Sequence, residues 1–102
     1  MRPIRENEKK LIRFLAGPNL EIPELVVDLK DGGMGSIKFD LTKKENRVNQ
    51  IAAAVFTDKD GVLVDIELTS DKAGNLFELD FWKVDFSELV RYPQIENLKI
   101  KQ

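Results

Sequence analysis

The chain has 102 residues, of which 42% are hydrophobic and 33% are charged, and its formal net charge is −2. This length and composition predict one soluble domain, residues 1–102, built around a single hydrophobic core. The sequence contains no cysteine and no histidine, which excludes disulfides, thiolate nucleophiles, histidine bases and the commonest zinc sites. The slight acidic excess argues against nucleic-acid binding, because such binding depends on an excess of Lys and Arg.

The apolar segments are short. The longest run, "IAAAVF" at 51–56, falls far below the roughly 20 residues that cross a bilayer, and the N-terminus lacks the apolar region of a signal peptide. We therefore expect a cytoplasmic protein that does not associate with membranes. The composition also gives no indication of a cofactor.

The first predicted element is an amphipathic helix over 4–15. Apolar residues recur there at helical spacing while charged residues occupy the other faces; the stripe comprises Ile4, Leu11, Ile12, Phe14 and Leu15. "GP" at 17–18 ends the helix, because glycine favours the position after a helix and proline cannot continue one. Asn7 is an alternative cap for a shorter helix.

Five strand-like runs follow, separated by turns that contain glycine. They lie at about 24–30, 36–42, 48–57, 62–69 and 76–84. Short turns between strands predict antiparallel pairing. "VDFSELVRYP" at 84–93 indicates a short last helix, with Asp85 and Glu88 as a capping box. We therefore predict an α+β fold: an N-terminal helix packed on a mainly antiparallel meander sheet of about five strands, with a short C-terminal helix.

The loop "DGGMGS" at 31–36 has the glycine content of a phosphate cradle, yet it leads into a strand and not into a helix. A tight turn at Gly32, Gly33 and Met34 with positive φ angles is the favoured interpretation, with Leu29 opposite Ile37. The alternative is a binding tip that displays Met34. "DKDG" at 58–61 resembles the start of a calcium loop, but the later ligand positions of an EF-hand do not match, so a hairpin turn is predicted.

Strand alternation separates a core face from an acidic face. The predicted core comprises Leu11, Leu15, Ile37, Phe39, Leu41, Val64, Ile66, Leu68, Leu79 and Phe81, with Phe77 on the same face. The opposite face gathers Asp65, Glu67, Glu78, Asp80 and Trp82. Like charges on neighbouring strands are mildly destabilising, so three explanations stand: an ordinary solvated face, a binding surface for a basic protein, or a carboxylate site for hydrolase, lyase or hard-metal chemistry.

Trp82 occupies an outward strand position within "ELDFWKVDF". It is either covered by the C-terminal segment or available as a binding anchor for a partner. A third possibility is a homodimer formed through Ala52, Phe56 and Trp82. The apolar character of both faces of run 48–57 further suggests that the C-terminal tail or another subunit covers part of it.

"DGGMGS", "DKDG", "LFELDFWKVDFSELVRYP" at 76–93 and the start "RPIRENEKKLIRFL" resemble a family of small bacterial proteins described as a domain of unknown function. Arg5 stands where that family begins its first helix with threonine or serine. The resemblance covers nearly the whole chain, implies a single domain, and implies no catalytic residue. By loose analogy, small bacterial proteins of this type act as immunity or interaction modules. A non-enzymatic interaction module is therefore our leading hypothesis, ahead of a carboxylate enzyme.

Overall fold

The computed structural model of the chain describes residues 1–39 and 49–101. In order, the elements are β1 (Arg2–Pro3), α1 (Glu6–Ala16), β2 (Leu25–Asp28), β3 (Ile37–Lys38), β4 (Asn49–Thr57), β5 (Leu63–Ser70), β6 (Leu76–Lys83), a 3-10 turn (Ile95–Asn97) and β7 (Lys99–Lys101). No helix within the two described ranges is long and apolar enough to cross a membrane.

The strands form one seven-stranded sheet in the order β1-β2-β3-β6-β5-β4-β7, and every neighbouring pair is antiparallel. The α+β class with an N-terminal helix is confirmed, and α1 packs on β4 and β5. The predicted meander is only partly right. Strands β4, β5 and β6 follow one another as hairpins, but β3 pairs with β6 and not with β4. Two further short strands, β1 and β7, extend the sheet beyond the five predicted.

Helix α1 begins after Arg5, whose backbone N–H donates to the Glu8 carboxylate at 2.8 Å. The helix ends at Gly17, which has φ +83° and donates its N–H to the Arg13 carbonyl. The carboxylate of Glu8 is buried and also accepts from the guanidinium of Arg2 at 2.7 Å. Polar contacts therefore fix the start of the helix against β1, while Leu11 and Ile12 enter the core.

The core lies between α1 and the inner face of the sheet. The predicted core residues that are buried are Leu11, Ile37, Phe39, Val64, Ile66, Leu68, Leu79 and Phe81. Leu15 is partly buried against them, and Leu41 lies outside the described residues. Phe77 is buried, as predicted, but does not belong to the main core cluster. The β5–β6 register shifts between Thr69 and Ser70, so Leu76 joins the core cluster, whereas Phe77 is buried outside it with Lys38 Nζ 5.4 Å from its ring centroid.

Strand β4 carries a second register shift, between Gln50 and Ala52. Such a bulge reverses the alternation of side chains, and Ile51 packs partly buried against the core. Phe56 is buried in the core, and Ala52 lies opposite the buried Leu68. Ala52 and Phe56 therefore do not share an exposed surface with Trp82, and the predicted dimer surface of these three residues is wrong.

The predicted C-terminal helix is also wrong. Residues 84–93, which we call the C-terminal strap, contain no helix, and a single 3-10 turn follows them. Asp85 does not cap a helix; its carboxylate accepts hydrogen bonds from the N–H and the hydroxyl of Ser87. Phe86 adopts φ +63°, which interrupts any helical path.

Candidate functional site

A groove of about 650 Å³ crosses the outer face of the sheet, opposite α1. Its lining includes the four predicted acidic residues and the predicted tryptophan: Asp65, Glu67, Glu78, Asp80 and Trp82. Asp31 adds a further carboxylate, and Lys30 and Lys101 add two amines. The structure thus brings together every predicted site residue except Met34. We call this feature the outer groove.

The register of β5 and β6 explains how the acids meet. Glu67 lies directly opposite Asp80, and Asp65 lies opposite Trp82. Like charges in directly opposed positions repel, but both Glu67 and Asp80 have interaction partners in the structure. Asp65 accepts a hydrogen bond from Lys101 Nζ at 2.7 Å, in a partly exposed ion pair. At Asp65, the outer groove is therefore already occupied by the side chain of Lys101.

An exposed apolar patch adjoins the outer groove at the end of β6. Trp82 is 56% exposed, so the C-terminal segment does not cover it. Its ring contacts that of Phe86 edge to face, with centroids 5.2 Å apart. Val84 and Leu63, which share a backbone hydrogen bond of 3.0 Å, are also exposed. We call Leu63, Trp82, Val84 and Phe86 the aromatic patch.

Phe86 is exceptional within this patch. It is 64% exposed and is the only non-glycine residue of the described chain with positive φ. A bulky side chain in this conformation costs of the order of 1 kcal/mol relative to glycine. Because so exposed a side chain gains little from burial, its packing alone does not explain why phenylalanine occupies the position.

Beneath the patch, Lys83 points inward and its side chain is fully buried. Its ammonium donates to Asp58 at 2.8 Å, to Asp60 at 2.6 Å and to the Glu88 carbonyl at 2.9 Å. The buried Asp58 carboxylate also accepts the backbone N–H groups of Val90 and Arg91. This ion cluster therefore joins the β4–β5 turn, β6 and the C-terminal strap.

The ion cluster fixes the charge states of its members. Burial disfavours ionisation of Asp58, but hydrogen bonds from Lys83 and from the Val90, Lys59 and Arg91 amides outweigh it, so the pKa of Asp58 lies below its usual value. Burial likewise opposes the charge of Lys83, yet its bonds to Asp58 and Asp60 raise the pKa of the amine. Both groups remain charged near neutral pH, which suits a structural ion pair better than proton transfer.

Residues 31–36, which we call the glycine loop, lie against the C-terminal strap, whose Leu89 N–H donates to the Gly33 carbonyl. The Asp31 carboxylate accepts the N–H groups of Met34 and Ser36, so these two amides are not free to hold an anion. Gly32 and Gly33 have positive φ, as the turn interpretation predicts, although the register sets Asp28 and not Leu29 opposite Ile37. Met34 is buried, with its sulfur 3.3 Å from the Lys83 amide nitrogen. The alternative of a displayed Met34 is therefore wrong.

Sequence reasoning missed the ion cluster. It placed Asp58 and Asp60 in a turn, where the structure also places them, but gave them no partner. The available indication was Lys83, which has the same strand parity as Leu79 and Phe81 and so belongs to the core face. A lysine on a core face requires an acidic partner.

The outer groove and the aromatic patch define a class of protein: an α+β domain whose sheet carries α1 on one face and an open acidic and aromatic surface on the other. Among the described residues, no group of three or more acidic side chains is placed to hold a metal ion. The family described as "Domain of unknown function (DUF6984)" matches residues 1–93, and the chain belongs to this family. No curated protein and no solved structure gives a significant match to the chain.

Proposed function

We propose that the chain is a non-enzymatic protein-interaction module that binds a basic partner through the aromatic patch and the outer groove. The exposed contact between Trp82 and Phe86 carries this proposal. Exposed aromatic residues beside a charged surface are typical of interaction sites, in which a large apolar anchor supplies affinity and complementary charge directs association.

Phe86 supports the proposal independently. Its ring contacts that of Trp82 but stays 64% exposed, and its backbone conformation is unfavourable. Burial of the rest of the ring against a partner would add to the compensation that the Trp82 contact gives.

Hydrolase or lyase chemistry at Asp65, Glu67, Glu78 or Asp80 has less support. All four side chains are partly exposed, and water around a carboxylate removes the desolvation that acid catalysis on such a residue requires. The outer groove therefore suits recognition of cations better than proton transfer.

A peptide library selected on the immobilised chain tests the proposal. We expect enrichment of peptides that combine Lys or Arg with apolar residues, and binding that weakens as salt rises. Trp82 is the sole tryptophan, so its fluorescence reports directly on the site. Trp82→Ala should weaken binding by about 2 kcal/mol or more while barely changing the melting temperature.

Phe86→Asn is the matched variant, because asparagine tolerates positive φ and replaces the ring with a small amide. We expect its stability to stay within about 1 kcal/mol of that of the natural chain, because relief of backbone strain offsets loss of the Trp82 ring contact. We expect it to bind the selected peptides more weakly. Peptides that bind both variants as well as the natural chain would reject the aromatic patch as the site.

A further inference from the structure

Strand β7 covers one edge of the sheet beside the outer groove. It pairs antiparallel with β4, setting Lys101 opposite Ala53, Ile100 opposite Ala54 and Lys99 opposite Val55. All three residues of β7 are exposed. The sequence Lys-Ile-Lys therefore lies along β4 with its last amine on Asp65, 2.7 Å away.

This edge strand lies outside the residues that the family model matches. The match ends at residue 93, so it includes β4 and most of the outer groove, but neither β7 nor the groove residue Lys101. Strand β7 thus pairs with an edge of β4 through residues that lie outside the match.

The contacts of β7 are those of a strand that separates easily. It is three residues long, and the pair between Lys101 and Asp65 is partly exposed to solvent on both sides. Exposed ion pairs contribute little to stability, and short exposed edge elements open at low free energy without global unfolding. Detachment of β7 leaves β5 and β6 paired with each other and exposes β4.

We propose that β7 is an internal competitor for the partner, and that the partner binds by adding an extended segment to β4 in its place. The segment would carry Lys or Arg on both sides of an apolar residue, as β7 does, and would set a cation on Asp65. Strand addition supplies backbone hydrogen bonds, while alternate side chains supply specificity. Asp65 pairs with Trp82 across β5 and β6, so the incoming cation lies beside the aromatic patch.

This inference deepens the proposed function, since it takes the outer groove as the binding surface. Its test uses the full chain and a synthetic peptide with the sequence of residues 96–102. Lys101→Glu replaces the Lys101 contact with a repulsion against Asp65, so β7 detaches more often. The apparent dissociation constant falls as the competent fraction rises, and we expect this variant to bind the peptide about threefold more tightly than the natural chain, the size of effect that loss of an exposed ion pair gives.

Two controls make the comparison specific. Lys72→Glu makes the same charge change at an exposed position in the β5–β6 turn, and it should bind the peptide as the natural chain does. A peptide with glutamate in place of both lysines should bind Lys101→Glu at least tenfold more weakly than the natural peptide. Amide shifts on binding should centre on residues 53–55.

Equal affinity of Lys101→Glu and the natural chain for the peptide would overturn the inference, as would amide shifts that leave residues 53–55 unchanged. These outcomes differ from failure of the proposed function. Library peptides that need Trp82 but ignore Lys101→Glu would retain the interaction module and reject the competing strand. Peptide binding that increases in Lys101→Glu but ignores Trp82→Ala would retain the strand exchange and reject the aromatic patch.

Discussion

At the scale of single residues, Lys83 and Trp82 show how one strand contributes to both the interior and the outer face. They are neighbours in β6, yet the side chain of Lys83 is fully buried and Trp82 is 56% exposed. Successive residues of a strand point to opposite faces. The same alternation that places a tryptophan on the outer face of the sheet therefore places a lysine inside, where Asp58 and Asp60 neutralise it.

Replacement of Asp58 by asparagine tests the importance of the buried pair. Asp58→Asn removes the buried negative charge and leaves the Lys83 ammonium with Asp60 as its remaining carboxylate partner. Loss of one member of a buried ion pair typically costs about 3 kcal/mol or more, and urea unfolding of the variant should show a loss of this size. Asp60→Asn is the matched control, since the Asp60 side chain is 36% exposed, and it should cost clearly less. Equal losses from the two variants would mean that burial does not distinguish the two carboxylates.

The acidic and aromatic residues of the outer groove were predictable at this scale. The contacts that those residues make with distant parts of the chain were not. Period-two alternation alone placed Asp65, Glu67, Glu78, Asp80 and Trp82 on one face, and the structure agrees. Alternation cannot tell whether a distant segment covers an outward residue, so the exposure of Trp82 remained open. The Lys101 contact was equally hidden, because it joins residues 36 positions apart in sequence.

At the scale of elements, the glycine loop and the C-terminal strap are one packing unit. The Leu89 N–H donates to the Gly33 carbonyl at 3.1 Å. A Cβ atom at Gly33 would lie 3.0 Å from the Glu88 Cγ, whereas a Cβ atom at Gly32 would meet no atom within 4 Å. The loop therefore uses one glycine for backbone conformation and another for conformation and close approach together.

Alanine substitutions separate these two requirements. Gly32→Ala should lower the free energy of unfolding by about 1 kcal/mol, because alanine is strained at the φ of +76° that Gly32 adopts. Gly33→Ala should lose more, since it adds a contact with Glu88 to the same strain. Thermal or urea unfolding measures both. In a Glu88→Ala background the excess loss at Gly33 should disappear, and its persistence would show that Glu88 is not the obstacle.

Some elements departed from prediction for physical reasons that a sequence does not display. The register shifts in β4 and β6 bring Ile51 and Leu76 to the core, and nothing in strict alternation marks where a bulge falls. The predicted last helix does not form, because the backbone N–H groups of Val90 and Arg91 donate hydrogen bonds to the Asp58 carboxylate instead. Tertiary hydrogen bonds outweighed the local capping pattern there.

At the scale of the whole molecule, ionisation should leave stability nearly constant between about pH 5 and 9. The chain has no histidine, and the shifted groups titrate outside that interval. The Arg2 guanidinium lowers the pKa of Asp28, and the ion cluster lowers that of Asp58. A lowered carboxyl pKa stabilises the fold above the unfolded pKa of about 4, and this contribution is lost as pH falls through the folded value.

The alkaline limit follows from the opposite shifts. The pKa of Lys83 is raised by its carboxylate partners despite burial, and burial raises the pKa of the Tyr92 phenol. Both contributions are complete below the unfolded pKa of about 10 and are lost as pH rises beyond it. Urea unfolding from pH 3 to 11 should give a plateau with a fall at each end. A maximum within the plateau would contradict this assignment of charges.

The sheet order also determines how far apart the two edge strands lie. Strands β1 and β7 occupy opposite edges, separated by six inter-strand spacings of about 4.8 Å, or about 29 Å across the sheet. A covalent link that closed the chain into a ring would need about nine extended residues to leave both edge strands paired. A shorter link would pull one edge strand away from its neighbour. A ring closed tightly and then relaxed by cutting the link would thus give chemical control over the pairing of an edge strand with its neighbour.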